Sequence, residues 1–314
     1  MKILFTCVGR RVELVQAFRV AAKTVGIDIV IYGADISTSA PALCFCDKSI
    51  IVPTINDKEY IPTLKKICNE EQIDALIPTI DTDLLLLAQN KSLFDNTKVI
   101  ISDVDKIAIC RDKRLISDYF KSVGLNSPTP IDDVAKYDSG FPAFIKPKDG
   151  SSSVFAYKVH NQNELNAYAT QVPDYIIQPF ISGTEYTVDI LCDFNGNPIY
   201  ITPRIRQAVR AGEVLKTKIS QDDKIISEIK QLLKDYRPCG QITVQLIREE
   251  KTGIDYYIEI NPRFGGGAPM SIKAGSDFAE ALIRLLNGEI LEYQPYAAED
   301  GAVYSRFDQS IRVS

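Results

Sequence analysis

Residues 256–267, with the sequence YYIEINPRFGGG, place a glutamate and an asparagine two positions apart in an apolar run, followed by a proline, an arginine and three glycines. Alternating apolar and polar residues predict a β-strand. Side chains alternate across a strand, so Glu259 and Asn261 share one face while Ile258 and Ile260 share the other. The stretch therefore predicts a polar pair on one surface at the end of a strand.

A second strand, TVQLI at 243–247, precedes the first and is joined to it by a short connection. A hairpin centred on Thr252 sets Gln245 directly opposite Glu259, and opposite residues face the same way. Gln245, Glu259 and Asn261 then converge as oxygen ligands of the kind that suit Mg²⁺, which keeps waters and takes one or two carboxylates plus substrate phosphates.

The neighbouring residues favour a phosphate ligand over a plain strand end. If this segment is only a strand end with a structural role, Asn261 stabilises a turn and Glu259 pairs with Arg263. However, Arg263 is placed to meet a phosphate through charge-assisted hydrogen bonds, and the glycines at 265–267 allow close backbone approach to a ligand. Together these features indicate the triphosphate end of a nucleotide site.

A second phosphate-binding feature lies upstream, in FPAFIKPKDGSSS at 141–153. Lys146 falls on a strand just before a Gly-Ser loop at 149–153, whose N–H groups and hydroxyls suit phosphates. The loop is not a Walker A loop, since G-x-x-x-x-G-K-[ST] is absent. Taken alone, the motif is better explained as an ordinary surface hairpin, and the predicted magnesium site reverses this preference in favour of the phosphate interpretation.

Composition excludes several other classes of protein. The 314 residues are 45 % hydrophobic and 25 % charged with a net charge of −5, which predicts a globular protein of about two domains and argues against nucleic acid as a partner. No apolar run approaches the roughly 20 residues of a membrane span, and the N-terminus does not resemble a signal peptide, so we expect a cytoplasmic protein without a membrane partner.

A single histidine, His160, rules out most Ser-His, Cys-His and zinc mechanisms. Cys44 and Cys46 are too few for a metal site.

The chain changes character at about residue 113. Before it, short apolar runs alternate with amphipathic stretches, which predicts a doubly wound parallel α/β sheet. After it, strands come as hairpins, with Asn195-Gly196 as a strong turn signal, and two helical stretches at 222–236 and 277–288 should cover a sheet face, giving an α+β region.

At these residues the chain resembles the ATP-grasp superfamily, most closely its carbamoyl-phosphate-synthase-like branch. The resemblance covers about 113 to 290 and rests on five motifs in order: RDKRL, FPAFIKP, DGSSS, IIQPFISGTEYTVDI, and VQL followed by IEINPR. It implies a biotin-carboxylase-like N-terminal domain at 1–111 and an ATP-grasp domain at 112–314. The latter divides into two α+β subdomains, 112–182 with the lid and phosphate loop and 183–314 with the metal site.

The resemblance also implies roles for particular residues. The catalytic residues are Arg263, Lys146 and Arg206. The nucleotide contacts are Lys113, Lys146, Gly150, Ser151, Ser152, Ser153, Gln178, Pro179, Phe180, Ile181 and Glu185, with 178–181 along the adenine and Glu185 on the ribose. The metal ligands are Gln245, Glu259 and Asn261.

Two positions depart from the family pattern. Gln178 stands where many relatives have a glutamate, and Gln245 where many have an acid. Because only Glu259 is then a carboxylate, a second metal ion would depend more on the nucleotide itself.

Other residues are candidates for binding the second substrate. The loops with Arg10, Arg11, Asp81 and Asp83 follow predicted strands at the sheet edge where open sheets bind ligands, although an ordinary helix start and a solvated loop explain them equally well. A further arginine series, Arg204, Arg206 and Arg210, suggests an anionic substrate or an acyl-phosphate, or else a solvated strand face.

The resemblance implies an ATP- and Mg²⁺- (or Mn²⁺-) dependent ligase that phosphorylates a small-molecule carboxylate and couples it to a small-molecule amine, releasing ADP and phosphate. One alternative is a carbamoyl-phosphate-type activity on bicarbonate or carbamate. The other is a nucleotide-binding regulatory protein without turnover. A homodimer is expected from the relatives.

Overall fold

The computed structural model describes residues 1–150, 154–210 and 212–313, and within them the chain forms three β-sheets. The first sheet is five-stranded and parallel, in the order β3-β2-β1-β4-β5. Its strands are β1 (Lys2–Thr6), β2 (Val30–Asp35), β3 (Lys48–Ile51), β4 (Ala75–Pro78) and β5 (Lys98–Val99). The helices around it are α1 (Val12–Val25), α2 (Tyr60–Glu71), α3 (Leu84–Gln89) and α4 (Val104–Arg111).

The first sheet is covered by helices on both faces, which explains why its central strands are apolar along their length. In β1, Ile3 and Phe5 pack into one apolar cluster and Leu4 into another, and all three are fully buried. Since the strand order reverses between β1 and β4, the loops after these two strands lie at the switch point of the sheet.

The second sheet is small and antiparallel, in the order β7-β6-β8. Its elements, with the helix that precedes them, are α5 (Lys113–Ser122), β6 (Ala143–Pro147), β7 (Tyr157–Val159), α6 (Gln162–Ala169) and β8 (Tyr175–Pro179). Ala143 and Ile145 of β6 pack into the apolar core of this unit, so Phe144 and Lys146 face the other side.

The third sheet has six strands in the order β13-β12-β9-β10-β11-β14 and is antiparallel throughout. Its strands are β9 (Gly183–Cys192), β10 (Pro198–Arg210), β11 (Glu213–Ile219), β12 (Gln241–Glu249), β13 (Asp255–Asn261) and β14 (Val303–Ser305). The accompanying helices are α7 (Asp223–Tyr236), α8 (Ala268–Lys273) and α9 (Phe278–Leu286). The turn between β9 and β10 contains Gly196 with a φ of +83°, a conformation that glycine adopts at low cost.

The two amphipathic helices predicted from the sequence pack on opposite faces of the third sheet. Ile229 of α7 lies in one cluster with Val188 of β9, whereas Phe278 of α9 lies with Leu191 of β9 and Phe18 of α1 in another. Because α9 is shared between the third sheet and α1, it joins the N-terminal unit to the rest of the chain.

The predicted fold class is confirmed: a parallel α/β sheet is followed by two units with antiparallel sheets. The division of the chain at residue 112 falls between α4 and α5 and stays a prediction. In the part of the chain described, no helix has the length and apolar character needed to cross a membrane.

Candidate active site

Gln245 and Glu259 are partners across β12 and β13, as the hairpin pattern predicts. The register shifts by one residue immediately beyond this pair, where Leu246 lies opposite Tyr257, so Ile258 is the extra residue of a β-bulge. The strict alternation expected for this strand is therefore wrong: Tyr257 and Ile260 are buried in one core cluster, and Ile258 does not belong to it.

The three predicted metal ligands converge on Glu259. Its Oε1 accepts hydrogen bonds from Gln245 Nε2 at 2.6 Å and from Asn261 Nδ2 at 2.9 Å. Among the described residues, no group of three or more His, Cys, Asp or Glu side chains is placed to hold a metal ion. One carboxylate with two amide oxygens fits Mg²⁺ that arrives with phosphates and keeps waters, and does not fit a tightly held free ion.

Lys146 is the least compensated charge of the site. It is 9 % exposed, and its ammonium has neither a hydrogen-bond acceptor nor an ion-pair partner within the described parts of the chain. Desolvation and, to a smaller extent, the nearby Lys113 lower the pKa of Lys146 to about 8, while Glu259 acts in the opposite direction. A buried cation beside a second cation is costly unless an anionic ligand joins them.

Lys113 lies at the first residue of α5, directly after Asp112, which caps the helix. Its backbone N–H donates to Lys148 O at 2.8 Å, and its Nζ donates to Gly150 O at 2.9 Å. The start of the Gly-Ser loop is thereby held against the helix that carries the lysine. Gly150 has a φ of +92°, and Ser151, Ser152 and Ser153 lie outside the described residues.

The predicted adenine contact falls at the end of β8. Gln178 is buried, and its side chain donates to Pro128 O at 2.7 Å. The N–H of Phe180 donates to Pro142 O at 3.1 Å, and Pro179 has no N–H. Of the four residues named from the resemblance, Ile181 is the one whose N–H has no backbone acceptor in the described chain.

The two predicted catalytic arginines approach Gln245, Glu259 and Asn261 from different elements. Arg206 of β10 donates from Nη1 to Gln245 Oε1 at 3.1 Å, and its Nε lies 3.3 Å from the carboxylate of Glu185. Arg263, just beyond β13, donates from Nη2 to Asn261 Oδ1 at 3.3 Å and to Asp81 Oδ2 at 2.5 Å. The structure thus pairs Arg263 with Asp81, and not with Glu259 as expected for a strand end with a structural role.

The three arginines of β10, Arg204, Arg206 and Arg210, do not form a single binding surface. Arg204 is 2 % exposed and is held by Asp189, with Nε and Oδ2 separated by 2.8 Å, so its role is structural. Arg210 is exposed and pairs with Asp308 near the end of the chain. Of the three arginines, only Arg206 reaches the predicted metal ligands.

The four candidate residues in the loops of the N-terminal sheet also lie in different environments. Arg11 and Asp81 lie near Arg263, whereas Arg10 is exposed and lies 3.6 Å from Asp308. Asp83 is fully buried and cannot contact a substrate: its Oδ2 accepts from Thr6 Oγ1 at 2.9 Å and from Tyr60 OH at 3.0 Å. Burial raises the pKa of Asp83 to about 6.

Sequence reasoning missed the partner of Arg263. Asp81 and Arg263 are separated by 182 positions in the chain, and no local pattern links them. It also missed Glu213, whose carboxylate lies 3.9 Å from Arg11 and 2.9 Å from Arg306. Such contacts depend on how the units pack, which periodicity does not report.

Comparison with known proteins identifies the family of the chain. The profile of the ATP-grasp domain family matches residues 110–267, and that of the PylC-like, N-terminal domain matches residues 3–102. The chain belongs to the ATP-grasp family.

Among curated proteins, the chain is similar to the 3-methyl-D-ornithine--L-lysine ligase of Methanosarcina mazei, at 24 % identity over 243 residues, which is 76 % of this chain and 62 % of that protein. The chain therefore spans about three fifths of the length of this relative.

Among solved structures, the biotin carboxylase domain of Hydrogenobacter thermophilus 2-oxoglutarate carboxylase, a dimer complexed with MgADP, ADP and bicarbonate, gives a TM-score of 0.75 at 19 % identity, covering 96 % of this chain and 73 % of that one. The L-amino acid ligase of Bacillus licheniformis gives 0.69 at 19 % identity, covering 91 % and 74 %. Identities this low show a shared fold.

Proposed function

We propose that the protein is an ATP- and Mg²⁺-dependent ligase that phosphorylates a small-molecule carboxylate and couples the acyl-phosphate to a small-molecule amine, with release of ADP and phosphate. The observation that carries the proposal is Lys146, a buried ammonium beside Lys113 that has no ion-pair partner in the described chain. A polyphosphate supplies the missing negative charge.

Lys113 and Lys146 would contact the phosphates of the nucleotide, together with the start of the loop at Gly150 and with Ser151 to Ser153. Glu185 is half exposed beside Arg206 and remains available for the ribose hydroxyls. The N–H of Ile181 is our choice for the adenine contact, because that of Phe180 is already used.

Gln245, Glu259 and Asn261 would hold Mg²⁺ or Mn²⁺, which offsets negative charge on the phosphates when bound. Arg263 and Arg206 lie on either side of these ligands and would stabilise the charge that develops on the transferred phosphoryl group. No nucleophilic side chain is required, since the carboxylate of the substrate attacks phosphorus and the amine then attacks the activated carbonyl. In the second step the C–N bond forms as the C–O bond to phosphate breaks.

The relatives support this class of reaction, because two of the proteins described above are named as ligases of amino acids. We expect small-molecule substrates and a homodimer, the latter because the H. thermophilus domain is described as a dimer.

Oxygen transfer tests the proposal directly. Candidate carboxylates labelled with ¹⁸O are incubated with MgATP and candidate amines, beginning with the twenty proteinogenic amino acids in both roles. An acyl-phosphate route places one labelled oxygen in the released phosphate for each amide formed. Amide formation without label in phosphate contradicts the mechanism, and labelled phosphate from bicarbonate alone favours the carbamoyl-phosphate-type alternative.

A further inference from the structure

The N-terminal sheet contributes one charged side chain directly to the strand end that carries Glu259 and Asn261. Asp81, in the loop after β4, accepts a hydrogen bond from Arg263 Nη2 at 2.5 Å. Both side chains are largely buried, with 29 % of Asp81 and 13 % of Arg263 exposed. A charge-assisted bond in so little solvent is stronger than a surface ion pair.

The remaining contacts of Arg263 leave it poorly held without Asp81. Asn261 Oδ1 lies 3.3 Å from Nη2, and Phe264 O lies 3.4 Å from Nη1, both at the long end of hydrogen bonding. In the described parts of the chain, Nε of Arg263 is buried without an acceptor. One short bond and two long ones therefore orient the side chain.

The loop that carries Asp81 is anchored on both sides. Two residues before it, Thr79 is fully buried, and its Oγ1 donates to Thr6 O at 3.0 Å and Cys7 O at 2.8 Å. Two residues after it, Asp83 is fully buried and accepts from Thr6 and Tyr60. Asp81 is therefore presented by a loop whose neighbours are fixed to β1 and α2.

Arg11 also forms a hydrogen bond to the loop that carries Asp81. Its Nη2 donates to Thr79 O at 3.1 Å, and burial and the positive charge of Arg263 lower the pKa of Arg11. The carboxylate nearest to Arg11 is that of Glu213, at 3.9 Å, and the charge of Asp81 acts on Arg11 more weakly. Asp81 pairs with Arg263, which repels the partly buried Arg11, so removing the charge of Asp81 would leave this repulsion less compensated.

We infer that Asp81 is a positioning residue of the active site, holding Arg263 in the orientation that meets the transferred phosphoryl group. The inference rests on the proposed function. It gives the N-terminal unit a part in phosphoryl transfer that is separate from any contact with the second substrate. A preorganised guanidinium does not have to reorient when the phosphate binds.

The test compares two nucleotide states by calorimetry: MgADP alone, and MgADP with beryllium fluoride, which occupies the position of the terminal phosphate. In the wild-type protein beryllium fluoride should tighten MgADP binding on the order of tenfold. Asp81→Asn and Arg263→Gln should each abolish most of this gain, measured in each variant as the ratio of its two affinities. The double variant should be no worse than Arg263→Gln, since both changes remove one interaction.

Asp95→Asn is the matched control, because it removes an exposed carboxylate from the same unit and should keep the full gain. Asp81→Glu, which keeps the charge, should recover part of the gain and serves in place of Asp81→Asn if that variant does not fold. An Asp81→Asn protein with the wild-type gain, or losses that add in the double variant, overturns the inference. Failure of the wild-type protein to bind MgADP overturns the proposed function instead, and the inference with it.

Discussion

Gln245 lies directly opposite Glu259 in the β12–β13 ladder and donates a hydrogen bond of 2.6 Å to its carboxylate. The amide thereby holds the single carboxylate of the predicted metal site in place. It also transmits a contact from Arg206, whose Nη1 lies 3.1 Å from Gln245 Oε1. The proposed metal ligands and one proposed catalytic arginine therefore form one hydrogen-bonded chain.

Replacing Glu259 should uncouple nucleotide binding from magnesium. Glu259→Gln keeps the shape of the side chain and removes the only negative charge among the three ligands, so we expect the gain in ATP affinity on adding Mg²⁺ to fall on the order of tenfold. Calorimetric titration of ATP with and without Mg²⁺ measures this gain. Glu250→Gln, at the exposed β12–β13 turn, should retain it. Equal magnesium dependence in Glu259→Gln and wild type would show that the ion binds elsewhere.

ATP affinity should depend on pH through Lys146. The pKa of its ammonium is lowered to about 8 by burial and then by Lys113, so the ligand-free protein loses this charge as the pH rises through 8. Since ATP requires the charged form, the dissociation constant should rise by up to about tenfold per pH unit above 8. Lys146→Arg keeps its charge throughout and should flatten the profile. A wild-type profile that is flat from pH 7 to about 9.5 would contradict this.

Asp83 should make the protein less stable as the pH rises. Burial raises its pKa to about 6 in the folded protein, above its value of 3.8 in the unfolded chain. The folded state therefore binds the proton more tightly: its contribution to stability is fully present below pH 3.8 and is lost as the pH rises through about 6. A difference of this size is worth about 3 kcal/mol.

Asp83→Asn mimics the protonated acid and should remove this dependence. The difference in free energy of unfolding between the wild-type protein and the variant should shift by up to about 3 kcal/mol between pH 4 and 7.5, in favour of the variant at the higher pH. Urea denaturation at several pH values measures it, and other titrating groups cancel in the difference. A difference that does not change with pH would refute the raised pKa.

Gly267 should not tolerate a side chain. A Cβ at this position would lie 2.4 Å from Arg204 Nη2 and 2.8 Å from Val214 Cγ1. Arg204 cannot move aside easily, because it is buried and bonded to Asp189. Gly267→Ala should therefore lower the free energy of unfolding by about 1–3 kcal/mol, as seen for overpacked interiors. Denaturant unfolding checks this, and an alanine variant as stable as wild type would mean that the glycine loop has room to shift.

The sequence predicted those features that depend on local periodicity. Alternation and hairpin spacing placed Gln245 opposite Glu259, and the change from helix-separated to hairpin-joined strands predicted the order of parallel and antiparallel sheets. Local patterns could not reveal the bulge at Ile258, because one inserted residue leaves the composition of a strand unchanged. The predicted Gln245–Glu259 pairing is correct. Between this pair and the turn, however, β12 and β13 pair one residue out of the predicted register.

Features that depend on packing between distant segments were not predictable in this way. Arg204 and Arg206 are two residues apart on β10, yet one is buried against Asp189 and the other donates to Gln245, a predicted metal ligand. Asp81 and Asp83 are equally close in sequence, and only Asp81 meets Arg263. In each pair the same residue type plays a structural role at one position and faces the site at the other, a distinction set by the neighbouring elements.

The most direct test of the central claim is calorimetric titration of MgATP into the wild-type protein, Lys146→Met and Lys136→Met. Lys136 is a surface residue of the same unit, paired with Asp133, so its replacement should leave binding unchanged. We predict binding to wild type that is weakened at least on the order of tenfold in Lys146→Met, since the variant lacks the buried charge that the phosphates compensate. Equal affinities in wild type and Lys146→Met, or no binding of MgATP to wild type, would contradict the account.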